Sequence, residues 1–183
     1  MGDIVTMDDL TNQDIVAVLD DAERLVPVAR GDVYLPLLQG KVLANMFFEN
    51  STRTRMSFET AMKRLGGSVL NFTSIGTSVA KGETLYDTMQ MIDGYADVAA
   101  IRHPRQGAAQ YSADAVGIPI LNAGDGAGNH PTQTMLDLFT IRQAHGTLEG
   151  LNVVLVGDLR YGRTVHSLSH ALVRFGAKLT LVS

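Results

Sequence analysis

Four short segments of this sequence carry cations, hydroxyls and amides at spacings suited to holding an oxyanion. They are Ser51-Thr52-Arg53-Thr54, Arg102-His103-Pro104, Asn129-His130-Pro131-Thr132-Gln133 and Gly157-Asp158-Leu159-Arg160-Tyr161-Gly162-Arg163-Thr164. Two of them, the first and the third, are predicted to open helices, where unpaired backbone N–H groups and the positive dipole end attract anions. Ser51, Thr52 and Thr54 add hydroxyl donors, and Arg53 adds a planar fork that matches phosphate. An ordinary helix N-cap would need one hydroxyl from Ser-Thr-Arg-Thr. With Arg102, His130 and Arg163 at equivalent places in the chain, an anion site is the better reading.

The last segment also fits the phosphate-loop pattern G-x-x-x-x-G-K-[ST] except at Arg163, where that loop needs a compact lysine ammonium. A dinucleotide fingerprint fails at Leu159, which stands where the second glycine belongs. Arg163 is read instead as a cation at a strand end, suited to a carboxylate. His166 and His170 have the i,i+4 spacing of metal ligands, but no Glu sits between them in the zinc-protease position and no third ligand is evident, so no metal is expected. A chain without cysteine also has no thiolate metal site, disulfide or thiol nucleophile.

The elements that must position these residues alternate between strand and helix. Residues 8–28 read as a helix, with Thr11 and Asp14 as a capping box and Ile15, Val18, Leu19, Ala22 and Val26 at the helical period. Strands are predicted at 42–48, 68–72, 97–101, 118–121, 152–156 and 178–182. The intervening helices are expected from about 53 to the Gly66-Gly67 stop, and over 83–95, 106–115, 131–144 and 162–174. Residues 73–82 read as a polar loop, and 122–130 as a Gly-rich loop. This order predicts an α/β fold, a parallel sheet with helices on both faces over 1–144, followed by the start of a second doubly wound α/β domain over 151–183. That second unit is expected to be incomplete, because its final strand would lack sheet neighbours. In such sheets ligands bind beyond the carboxyl ends of the strands, which is where all four segments fall.

The 183 residues carry 15 basic against 19 acidic side chains, a formal net charge of −4, with 45% hydrophobic residues. That balance argues against general nucleic-acid or anionic-membrane binding while allowing a local basic pocket. No apolar run approaches membrane-spanning length and Met1-Gly2-Asp3 does not begin a signal peptide, so a cytoplasmic protein is expected.

Phe47-Phe48-Glu49-Asn50-Ser51-Thr52-Arg53-Thr54 resembles the carbamoyl-phosphate signature of the aspartate and ornithine transcarbamoylases. The resemblance continues through Lys81-Gly82-Glu83-Thr84, Arg102-His103-Pro104, Asn122-Ala123-Gly124-Asp125-Gly126, His130-Pro131-Thr132-Gln133 and Val156-Gly157-Asp158. Glu49, Thr132 and residues 161–168 look like the catalytic chains of the aspartate branch; ornithine enzymes typically carry Lys and Cys at the first two places. The resemblance implies transfer of the carbamoyl group of carbamoyl phosphate to the amino group of L-aspartate, in pyrimidine biosynthesis, with no cofactor and no metal. It assigns the phosphate to Ser51, Thr52, Arg53 and Thr54, the carbamoyl oxygen to Arg102, His130 and Thr54, and the carbamoyl amino group to Gln133. It assigns an aspartate carboxylate to Arg163, supported by Thr164. Ser78 and Lys81 would reach a neighbouring subunit's site, which implies a homotrimer with shared active sites. Regulatory chains accompany some members. A carbamoyl-phosphate-binding module without catalysis, and a phosphate-loop nucleotide binder, stand as alternatives.

Overall fold

Two successive capping boxes decide how the chain enters its first helix. In the computed structural model, which describes residues 2–73, 82–160 and 162–183 and the backbone alone at Arg163, Thr6 and Asp9 cap a short 3-10 turn, Met7–Asp9. Thr11 and Asp14 then cap α1, Asn12–Arg30. The helix expected from residue 8 therefore starts at Asn12. Thr11 is extended (φ −73°, ψ 166°), because an N-cap hydroxyl reaches the N–H three residues on only from outside the helix. Gly31 closes α1 in the left-handed conformation.

Strands β1 (Val42–Phe47), β2 (Ser68–Thr73), β3 (Val98–His103) and β4 (Ile120–Asp125) form one parallel sheet in the order β2-β1-β3-β4. Helices α2 (Thr52–Arg64), α3 (Leu85–Asp93) and α4 (Ala108–Ala115) make the crossovers, and α5 (Pro131–His145) follows β4. Beyond it, β5 (Asn152–Val156), α6 (Arg163–Arg174) and β6 (Lys178–Val182) form a second parallel pair. The expected α/β class is the observed one. Residues 3–5 lie along the outer edge of β4: Ile4 N–H donates to the Ile120 carbonyl at 2.8 Å, and the Asp3 carboxylate accepts from Ile120 N at 2.7 Å. They cover a sheet edge that would otherwise be open.

Two strands run past their expected ends. β3 includes Arg102 and His103, and β4 continues through Asn122-Ala123-Gly124-Asp125, read from composition as loop. Asn and Gly disfavour strands locally, but here the sheet supplies what the side chains need. Asn122 is fully buried; its Nδ2 donates to the Val5 carbonyl (2.9 Å) and its Oδ1 accepts from Gly124 N (2.8 Å).

β1 shows the period of two that both sheet faces demand. Ala44 and Met46 join Met89, Ile92, Ala99, Ala109 and Ile120 in a core with α3 and α4. Leu43 packs with Met62 and Ala100 beneath α2. A third cluster joins the two sheets' helices: Ile15 and Leu19 of α1 and Leu138 of α5 meet Ala171 and Leu172 of α6. Arg174 pins this contact, donating from Nε to Asn12 Oδ1 (2.9 Å) and from Nη1 to the Met7 carbonyl (2.8 Å). Among the described residues no helix is long and apolar enough to cross a membrane.

Candidate active site

Parallel strands bring their carboxyl ends to one edge, so the segments after β1, β3 and β4 become neighbours. Phe47 stands opposite Arg102 and His103 opposite Asp125. The Phe48 N–H donates to the Arg102 carbonyl at 2.9 Å, carrying that pairing one residue beyond β1.

Arg102 occupies the centre of this edge and is 8% exposed. Its Nη1 donates to the Ala123 carbonyl (3.3 Å), and its Nε lies 3.5 Å from Glu49 Oε2. The guanidinium is thereby held between the segment after β1 and the end of β4. The sequence resemblance used Glu49 only to choose between branches; its contact with Arg102 depends on the sheet register and has no local signal.

Several helices begin with neither a side-chain cap nor a first-turn acid, α4 after Gly107 among them. Ser51 is the N-cap of α2, yet its hydroxyl makes no capping bond, and the first turn contains no acid. His130 precedes Pro131 at the start of α5, again with neither a side-chain cap nor an acid, and α6 after Gly162 has neither. By contrast α1 and α3 each have a threonine cap and an aspartate in the first turn. Capping hydroxyls and first-turn carboxylates occupy the donors and field that an anion would use. Arg53 in the first turn of α2 is exposed, with no acidic partner among the described side chains; Thr52 is exposed and Thr54 half-buried.

His130 is 5% exposed. Its Nδ1 lies 3.3 Å from Thr132 Oγ1, and its backbone N–H donates to Ser167 Oγ of α6 at 3.4 Å. Ser167 therefore ties the start of α6 to this edge, bringing the backbone of Arg163 and Thr164 one turn away from the His130 contact. Gln133, half-buried in the first turn of α5, donates from Nε2 to Asp137 Oδ1 at 3.0 Å. Ser78 and Lys81 lie outside the described residues, as does the Arg163 side chain.

A buried carboxylate that the sequence reading left without a role organises the loops. Asp125 is 3% exposed. It accepts from Gly107 N (2.8 Å), Asn129 N (2.9 Å) and Asn122 Nδ2 (3.2 Å), so one side chain fixes the segments on either side of Arg102 and His130. Gly126 beside it has φ +54°, and a Cβ there would meet Gln106 N at 2.8 Å, so only glycine lets the two loops touch.

His103 serves its own turn. Its Nδ1 accepts from Arg105 N at 3.0 Å, and its ring packs on Phe48 with centroids 5.1 Å apart. Burial, aided by the Arg105 charge, holds the imidazole below its ordinary value of 6.5. A depressed histidine stabilises the fold above the unfolded value and loses that contribution as pH falls through it. His103→Asn, which keeps an acceptor near the Nδ1 position, is expected to flatten the fall in urea midpoint between about pH 7 and pH 5. Equal slopes in both proteins would refute this account.

The phosphate-loop reading of residues 157–164 meets an obstacle in the loop itself. Arg160 N donates to Asp158 Oδ1 (3.1 Å) and Gly162 N to the Asp158 carbonyl (3.1 Å), so two amides such a loop would offer to phosphates are turned inward. His166 Nε2 bonds the Leu159 carbonyl at 2.8 Å, and among the described residues no group of three or more acidic or histidine side chains could hold a metal.

Residues 2–143 match the family described as aspartate/ornithine carbamoyltransferase, carbamoyl-P binding domain. The aspartate carbamoyltransferase catalytic subunit of Archaeoglobus fulgidus is 53% identical over 184 residues, covering 100% of this chain and 62% of that protein. The catalytic subunit of M. jannaschii aspartate transcarbamoylase superposes with a TM-score of 0.93 at 49% identity, covering 100% of this chain and 60% of that one. The Trypanosoma cruzi aspartate transcarbamoylase in complex with carbamoyl phosphate and aspartate gives 0.91 at 44% identity, covering 99% and 57%. The chain thus spans about three fifths of the length of these relatives. With that domain matched across residues 2–143 and the fold shared throughout, the chain belongs to the aspartate/ornithine carbamoyltransferase family.

Proposed function

We propose that this chain binds carbamoyl phosphate at the edge formed by β1, β3 and β4, and that the protein transfers the carbamoyl group to the α-amino nitrogen of L-aspartate. The observation that carries the reading is the buried Arg102 at the sheet edge where α2 and α5 begin without side-chain caps or first-turn acids. In this reading the first turn of α2 holds the phosphate through Ser51, Thr52, Arg53 and Thr54. Arg102, His130 and Thr54 donate to the carbamoyl oxygen, where negative charge grows as the amine attacks. The C–N bond forms, the bond from carbon to the phosphate oxygen breaks, phosphate leaves with the electron pair, and the proton lost by the attacking nitrogen passes to the departing phosphate. Donors fixed before the reaction stabilise that charge without reorganising. Gln133 takes the carbamoyl amino group, and Arg163 with Thr164 takes an aspartate carboxylate.

The division into a carbamoyl-phosphate domain over 1–144 and an aspartate domain beginning at 151 belongs to the same proposal. So do the homotrimer, with Ser78 and Lys81 completing a neighbour's site, and the cytoplasmic setting. The relatives' names, and the complex of one of them with both substrates, support the carbamoyl transfer.

Calorimetry tests the binding step. Carbamoyl phosphate is expected to bind and ATP is not. Arg53→Ala is expected to weaken carbamoyl phosphate by about 10- to 100-fold, the worth of a charge-assisted contact. ATP binding in preference to carbamoyl phosphate would instead favour the phosphate loop. Formation of carbamoyl aspartate separates an enzyme from a binding module.

A further inference from the structure

The pair Gln133–Asp137 lies one helical turn apart on α5, an i,i+4 arrangement that usually decorates an exposed helix face. Here both side chains are half-buried. Burial pushes the Asp137 carboxyl up, only partly offset by the hydrogen bond from Gln133. Among the described side chains no cation pairs with Asp137, and Gln133 Nε2 is the donor it receives. A carboxylate kept part-way out of water without a counter-charge costs more than a surface helix pair returns. The contact therefore asks for another reason.

Chemistry supplies one. An ionised carboxylate only accepts hydrogen bonds, so Gln133 must present its NH2 to Asp137. The amide cannot flip, and Oε1, which makes no hydrogen bond among the described residues, is left as an acceptor. We infer that Asp137 is a positioning residue that sets the polarity of Gln133, making the site select an acyl phosphate with an N–H donor beside its carbonyl over one with carbon there. Carbamoyl phosphate has that donor; acetyl phosphate, of nearly the same shape, has a methyl group; inorganic phosphate has neither. This inference rests on the proposed carbamoyl-phosphate site.

The test compares the three ligands by calorimetry. In the wild type, carbamoyl phosphate is expected to bind more tightly than acetyl phosphate. Asp137→Asn, whose amide can donate as well as accept, frees Gln133 to turn and is expected to cut that preference by about tenfold, leaving inorganic phosphate unchanged. Gln133→Met is expected to cost the same preference, and the double variant no more than either single one, because Asp137 acts through Gln133. A role confined to folding would instead lower all three affinities together, or give additive losses, and either result overturns the inference. So does an unchanged preference in Asp137→Asn when the wild type shows one. A wild type that binds none of the three ligands overturns the site and this inference with it.

Discussion

Arg102→Ala is expected to lower the rate of carbamoyl aspartate formation by about 10²- to 10³-fold while the protein stays folded. The size is that of removing one fixed donor from a developing oxyanion. Stability should change far less. Glu49, the carboxylate beside Arg102, is more than a third exposed on its side chain and can turn to water once the guanidinium is gone. Arg102→Lys should recover little of the rate, because an ammonium cannot reach the Ala123 carbonyl and Glu49 while also presenting a planar fork. Circular dichroism and the urea midpoint report the fold, and a coupled assay the rate. Near-normal turnover in Arg102→Ala would remove it from the mechanism.

Asp125→Ala is expected to lower stability by about 1–3 kcal/mol. The substitution removes the acceptor of the part-buried Gly107 and Asn129 N–H contacts and of one Asn122 Nδ2 contact, that nitrogen still reaching the Val5 carbonyl, and a buried donor left unpaired costs about 1–3 kcal/mol. Asp125→Asn keeps one acceptor oxygen and should recover part of the loss. Ligand binding should weaken in step, because the loops that Asp125 ties carry the approach to His130 and follow Arg102. The urea midpoint with its slope checks the first statement. A midpoint within experimental error of the wild type would show that the three donors find water or other partners.

The two substitutions test different kinds of residue, and they differ in how visible those residues were. Arg102 stands in a short cationic segment after an apolar run, so its type and spacing already suggested an anion site. Asp125 sits in Asn-Ala-Gly-Asp-Gly, which reads as a loop by composition. It became a strand end only because β3 pairs alongside and the N-terminal residues 3–5 cover the other edge. Strand propensity is mostly a statement about neighbours, and those neighbours are about twenty and about 120 residues away. The first helix taught a smaller lesson of the same kind. Thr11 and Asp14 were legible as a capping box, and taking that box at face value places the helix start at Asn12 instead of at residue 8.

Ser51-Thr52-Arg53-Thr54 could have been a capped helix or an anion site on sequence grounds. The Ser51 hydroxyl makes no capping bond, which leaves it available for the proposed phosphate. In residues 157–164 the pattern allowed a phosphate loop until the inward-turned amides of Arg160 and Gly162 were seen.

By itself the sequence determined the α/β class, the order of elements and the family. Each follows from short-range information: apolar periodicity, caps, glycine stops and ordered motifs of a few residues. Tertiary structure alone decided which groups meet. The register that sets Phe47 opposite Arg102, the Glu49 contact, the three donors on Asp125 and the Ser167 tie to His130 all join segments distant in the chain. Pairings of that kind arise when parallel strands align their carboxyl ends and both sheet faces fill, a condition on the whole core that no local window contains.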